Sequence, residues 1–119
     1  MNQKPTSYRD LIVWQKAMDL VDQIYKIVRL LPKSEYYILG SQMLRAAISV
    51  PSNIAEGFRR KSKAEYGHHL SIALGSAAEL ETQISIVNRQ YSNINTDKSL
   101  ELANEVQKML NKMTSNYMP

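Results

Sequence analysis

Between Met43 and Phe58 the apolar residues fall on adjacent stripes: Met43, Ala47, Val50, Ile54 and Gly57 on one, Leu44, Ile48, Pro51, Ala55 and Phe58 on the next. Both step alternately by four and three, the spacing of side chains stacked along one side of an α-helix. Together they form an apolar arc wider than a surface helix needs, so this element is expected to touch neighbours on more than one side. Pro51 lies in its middle, where it removes a backbone bond and crowds the carbonyl of Ala47. The stripes stay in phase across it, which predicts one helix over 35–60, kinked at Pro51 and capped by Ser34. Ser49, Ser52 and Asn53 are placed to bond the freed backbone groups.

The same periodicity organises the remaining chain. A first helix over 10–31 presents Trp14, Met18, Val21, Tyr25, Val28 and Leu31 inward, widened by Ile24 and Ile27. Ser7 or Asp10 caps it, Tyr8 packs back on its first turn, and Pro32 ends it. Ser62-Lys63-Ala64-Glu65 reads as a capping box. From there Tyr66, Leu70, Ala73, Ala77, Leu80, Ile84, Val87 and Tyr91 form an unbroken heptad seam over 63–91. Thr96 caps a fourth helix over 97–117, with Leu100, Ala103, Val106, Leu110, Met113 and Tyr117 inward. Short turns between long amphipathic helices predict an all-α fold: an antiparallel, up-down-up-down four-helix bundle formed by 1–119 as a single domain.

Composition narrows the chemistry. At 119 residues the chain can bury a sound core. There is no cysteine, which removes disulfides and thiolate catalysis. The polar stretch Met1–Asp10 lacks the apolar run of a signal peptide, and no run is long enough to cross a bilayer, so a cytoplasmic protein is expected. The net charge of +4 is uneven: residues 1–33 carry six Lys and Arg against three Asp, and 34–61 carry four against two Glu. A basic first half permits an acidic partner such as nucleic acid, though an ordinary basic surface accounts for it equally well.

Several segments resemble a known family. They are Tyr8-Arg9-Asp10-Leu11 with Val13-Trp14-Gln15, the run from Arg45 to Gly57, and Ile72-Ala73-Leu74-Gly75-Ser76 with Glu79-Leu80-Glu81. In these the chain is similar to the 23S rRNA intervening-sequence family of four-helix-bundle proteins. The resemblance implies a homopentamer. Some members are encoded inside insertions in ribosomal RNA genes. A related branch looks like the accessory protein of diversity-generating retroelements, a basic pentamer that binds nucleic acid and a reverse transcriptase. For most of the family the biochemical role is unestablished.

Candidate sites follow from the residues. Arg59, Arg60, Lys61 and Lys63 are the densest charge in the chain and could engage phosphates. Cations at a helix C-terminus are equally a solvated turn that complements the dipole. Arg9, Lys16, Lys26, Arg29 and Lys33 would extend that surface only if assembly gathered them. Tyr36 and Tyr37 could stack on bases, although tyrosines at helix ends more often pack. Glu65-x-x-His68 is half of a di-iron bundle motif, but no second copy exists and both residues point off the seam, so no metal site is expected. No nucleophile–base pair can be assembled, the glycines form no phosphate loop, and no cofactor is implied; the expectation is a protein that is not an enzyme. Antiparallel pairing sets Arg45 level with residues 77–81, predicting an ion pair with Glu79 or Glu81, with a network to Ser49, Ser52 and Glu56 as the alternative. Ile72, Gly75, Ala78 and Ile86 lie off the heptad seam and are the candidate oligomer interface.

The expected function is a homo-oligomeric bundle, homopentameric as the resemblance implies, that docks RNA, DNA or a nucleic-acid-processing protein. The alternative is a structural protein–protein assembly module without nucleic-acid contact.

Overall fold

The computed structural model describes residues 4–117. Four helices carry the fold: α1 (Ile12–Leu30), α2 (Ser41–Phe58), α3 (Lys63–Gln90) and α4 (Asp97–Tyr117). They pack as a bundle of 46 × 27 × 19 Å. Each helix touches two neighbours, α2 and α4 for α1 and likewise for α3. Along α2 and α3 the contacts run in opposite directions: Arg45 meets Glu79, Ser49 meets Ser76, and Asn53 meets His69.

α3 follows its heptad seam. Leu70, Ala73, Ala77, Leu80, Ile84 and Val87 are all buried, and Ser62 Oγ accepts from the backbone N–H of Glu65 at 3.1 Å. α2 runs from Ser41 to Phe58 without a break at Pro51. Asn53 Nδ2 donates to the Ser49 carbonyl at 2.9 Å, occupying one backbone acceptor beside the proline. Alanines at 17, 47, 73, 77 and 103 are buried and let the helices approach closely across the core.

Four sequence expectations change. In α1 the buried stripe is Val13, Ala17, Leu20, Ile24, Ile27 and Leu31, one step round from the expected one. Ile24, Ile27 and Leu31 are shared, but Trp14, Val21 and Val28 are only half-buried and Met18 and Tyr25 are exposed. The helix start is also later, because Ser7 caps a separate 3-10 turn (Tyr8–Asp10) and Leu11 is extended. The expected start of α2 splits into a 3-10 turn at Lys33–Glu35, which contains Ser34, and a π-turn at Tyr36–Gly40. Finally, the cap before α4 is Asn95, whose Oδ1 accepts from the N–H of Asp97 at 2.9 Å. Thr96 is buried, with its hydroxyl turned to Asn88.

Candidate nucleic-acid interface

The α2–α3 turn begins where Arg59 closes α2. Its N–H reaches the carbonyls of Ala55 and Glu56, and that of Arg60 reaches Gly57. The chain then reverses within four residues, Arg59 to Ser62, and leaves Arg59, Arg60, Lys61 and Lys63 exposed. Packing below fixes the turn. Phe58 meets Tyr66 edge-on at 6.2 Å between ring centroids, and Tyr66 meets Tyr117 of α4 at 4.6 Å. Burial is the larger cause and Tyr117 the smaller in pushing the Tyr66 hydroxyl up to about 12.

The four cations are not equivalent. Arg60 Nη2 lies 2.7 Å from Glu56 Oε1, one helical turn back, and is partly neutralised. Arg59 lies 5.8 Å from the centre of the Tyr8 ring, on whose face Arg9 also lies at 5.5 Å. Arg9 is moreover 5.5 Å from the Trp14 ring. The fold thus gathers Arg9 with Arg59, Lys61 and Lys63 within a single chain, which spacing along the sequence could not reveal. Lys16 is removed from any such surface by its contact with Glu105 Oε2 at 2.6 Å. The hydrogen bond to that carboxylate raises the Lys16 pKa, and the same bond lowers that of Glu105. Lys26, Arg29 and Lys33 stand at the other end of α2, whose 18 residues correspond to about 27 Å.

Between the two basic ends runs an apolar groove of about 300 Å³, lined by Tyr8, Trp14, Met18, Val21, Ile48, Pro51, Ser52 and Ala55. It is the meeting of two flanks: the outward half of the broad apolar arc on α2 and the stripe of α1 that the core does not take. On α3, Ile72, Gly75, Ala78 and Ile86 are exposed, and a Cβ built on Gly75 meets nothing within 4 Å.

Along the α2–α3 seam the contacts are polar. Arg45 Nη2 lies 3.1 Å from Glu79 Oε2 with side chains 67% and 41% exposed, and Gln83 Nε2 reaches the same oxygen. Ser49 and Ser76 share a hydrogen bond at 2.8 Å, and His69 Nδ1 lies 3.1 Å from Asn53 Oδ1. Glu65 and His68 border a shallow surface hollow with Arg60, Ala64 and His69. Among the described residues no group of three or more His, Asp or Glu could hold a metal ion, and no helix is long and apolar enough to cross a membrane.

Comparison with known proteins agrees with this architecture. A crystal structure of a protein with unknown function from the S23 ribosomal protein family, from Bacteroides thetaiotaomicron, superposes with a TM-score of 0.77. It is 23% identical, and the match covers 87% of this chain and 98% of that one. At that identity the likeness shows the fold. No curated protein matches the chain. The 23S rRNA-intervening sequence protein family matches residues 9–112, and neither description names an enzymatic activity. That match takes in nearly all of the four-helix scaffold, and the chain belongs to the 23S rRNA-intervening sequence protein family.

Proposed function

We propose that this protein is a non-enzymatic homo-oligomeric bundle, assembling as a pentamer, that docks RNA or DNA on the basic surface at its α2–α3 turn. One observation carries the nucleic-acid half: Arg9, Arg59, Lys61 and Lys63 are exposed at one end of the molecule, and none forms an ion pair among the described residues. Arg9 and Arg59, held against aromatic faces, lose less freedom when a phosphate arrives than free cations would. Assembly would multiply the patch, because each copy contributes one. A gel-shift titration with RNA and with DNA at two salt concentrations tests it. Binding should weaken steeply with salt, and replacing Arg59, Lys61 and Lys63 together by Gln should weaken it further and flatten the salt dependence. Binding as tight as the parent's would remove this surface from consideration.

A second reading is favoured by the α1–α2 groove: a protein–protein assembly module with no nucleic-acid contact. An apolar hollow rimmed by polar residues marks a contact surface. Absence of any salt-sensitive shift, together with a mass of several chains, would favour it.

A further inference from the structure

The π-turn at Tyr36–Gly40 has a consequence for the far end of the bundle. Its wider step places the N–H of Ser41 on the carbonyl of Tyr36 and shifts the preceding residues out of phase with α2. Gly40 takes the buried position, where an added Cβ would meet Val28 Cγ1 at 3.2 Å. Tyr37 and Ile38 are turned outward. They are 92% and 66% exposed, and Leu30 on the adjoining end of α1 is 64% exposed. No other large apolar side chain among the described residues is as exposed as these. A π-turn costs regular helical bonding and recurs at functional sites.

Cations lie close to this display along the chain. Lys26, Arg29 and Lys33 fall within the same stretch, 25–38, and none forms an ion pair among the described residues. The Arg29 guanidinium lies 5.8 Å from the Tyr25 ring centre, and Tyr25, Lys26 and Arg29 line one shallow hollow with Asp22. The other nearby carboxylate, Glu35, accepts the Tyr91 hydroxyl at 2.7 Å. Positive charge with exposed rings offers phosphates a counter-charge and unstacked bases a flat face. Duplex hides its base faces, so the rings favour a single strand.

We infer that the α1–α2 end is a binding surface for single-stranded nucleic acid, with Tyr37 stacking on a base and Lys26, Arg29 and Lys33 contacting the backbone. This surface is separate from the α2–α3 turn and shares with the function proposed above only the class of partner. The test is fluorescence anisotropy of the full-length protein with a labelled oligothymidylate and a duplex of equal length. The single strand should bind more tightly than the duplex. Tyr37→Ala should weaken single-strand binding about tenfold and duplex binding little, while Tyr37→Phe retains the parent affinity. Replacing Lys26, Arg29 and Lys33 by Gln should lower the salt slope for the single strand by about two, from three lost phosphate contacts. Tyr37 is too exposed for its truncation to unfold the chain, and circular dichroism of each variant checks this. The proposal is overturned if Tyr37→Ala binds the single strand like the parent. It is equally overturned if the substitution instead changes the oligomer mass or abolishes binding to anionic vesicles, which would assign the surface to a second copy or to a lipid headgroup. The variant Arg59→Gln/Lys61→Gln/Lys63→Gln separates the two sites: parental affinity there with loss in Tyr37→Ala rejects the α2–α3 turn alone.

Discussion

A Cβ placed on Gly57 would lie 2.8 Å from the Cβ of His69 and 3.0 Å from Cδ1 of Tyr66. The backbones of α2 and α3 therefore come together at a point where any side chain on residue 57 forces them apart. Just beside it, Asn53 Oδ1 and His69 Nδ1 are 3.1 Å apart, a contact that depends on the same approach.

Gly57→Ala should destabilise the protein by about 1–3 kcal/mol through overpacking. This outweighs the roughly 1 kcal/mol by which alanine is the better helix former. Gly75→Ala supplies the contrast, since its Cβ meets nothing within the chain. At a protein concentration where the assembled mass is unchanged, it should gain up to about 1 kcal/mol. Urea midpoints that shift in the same direction for both substitutions would contradict the close-approach account.

What the sequence disclosed depended on how many answers each pattern allowed. On α3 a single unbroken seam admits only one inward face, and from Leu70 to Val87 that face is buried. On α1 two apolar stripes lie side by side, and bulk favoured the one with Trp14 and Tyr25. The core instead took the stripe holding Ala17, whose small side chain permits close helix packing, and left the aromatic rings at the flank, where their polar edges stay wet. The groove was hidden for the same reason, because a stripe rejected by the core is indistinguishable in sequence from one accepted by it. The π-turn had no signal, as inserting one residue into a helical turn requires no particular residue type. Arg9 and Arg59 share one tyrosine ring only because the ends of α1 and α2 meet, a tertiary fact with no local trace.

The polar contacts at the bundle edges should differ in their titration rather than in bulk stability. Glu105 has a lowered pKa through its hydrogen bond to Lys16, so its contribution is present above the ordinary carboxylate range and is lost as pH falls through the lowered value. Lys16 has a raised pKa, so its contribution is present below the ordinary lysine value and is lost as pH rises through the raised one. Glu105→Gln should flatten the acid side of the stability profile, read by urea unfolding across pH. An unchanged acid limb would show that the pair is not formed in solution.

Arg45 and Glu79 should matter less than their position between two helices implies. With side chains 67% and 41% exposed, the pair is screened by solvent, and Arg45→Ala should cost less than about 1 kcal/mol. The roughly 3 kcal/mol appropriate to an uncompensated buried charge does not apply. Denaturant unfolding of Arg45→Ala, Glu79→Ala and the double variant would reveal any larger coupling.

At high pH Tyr66 is a further sensitive group beside Lys16 and Tyr91. Its pKa is pushed up to about 12, so the folded state holds a proton that the unfolded chain releases near 10. Stability is then complete below pH 10 and declines as pH rises between those two values. Tyr66→Phe should remove that part of the decline. An ultraviolet titration of the native protein should show a late tyrosine ionisation that Tyr66→Phe removes. Ionisation of Tyr66 near 10 would refute the burial of its hydroxyl.

Assembly offers the most discriminating prediction, because the two candidate surfaces differ. One is the groove holding Met18 and Ile48, the other the α3 face holding Ile72 and Ile86. A closed ring uses head-to-tail contacts, in which one surface of each copy meets the other surface of the next. Light scattering during size exclusion should give the parent a mass of several times 13.6 kDa, five chains if the ring is a pentamer. Ile48→Lys should lose the groove and Ile72→Lys/Ile86→Lys the α3 face, each alone falling to a single chain. Mixed, the two variants retain one intact groove and one intact α3 face, on different molecules. They should therefore form a one-to-one pair of twice 13.6 kDa and stop there. A self-complementary interface predicts no such rescue, since the same surface is needed on both sides. Rescue without further growth would establish the head-to-tail contact. Two variants that each keep the parent's mass would place the assembly contacts elsewhere on the bundle.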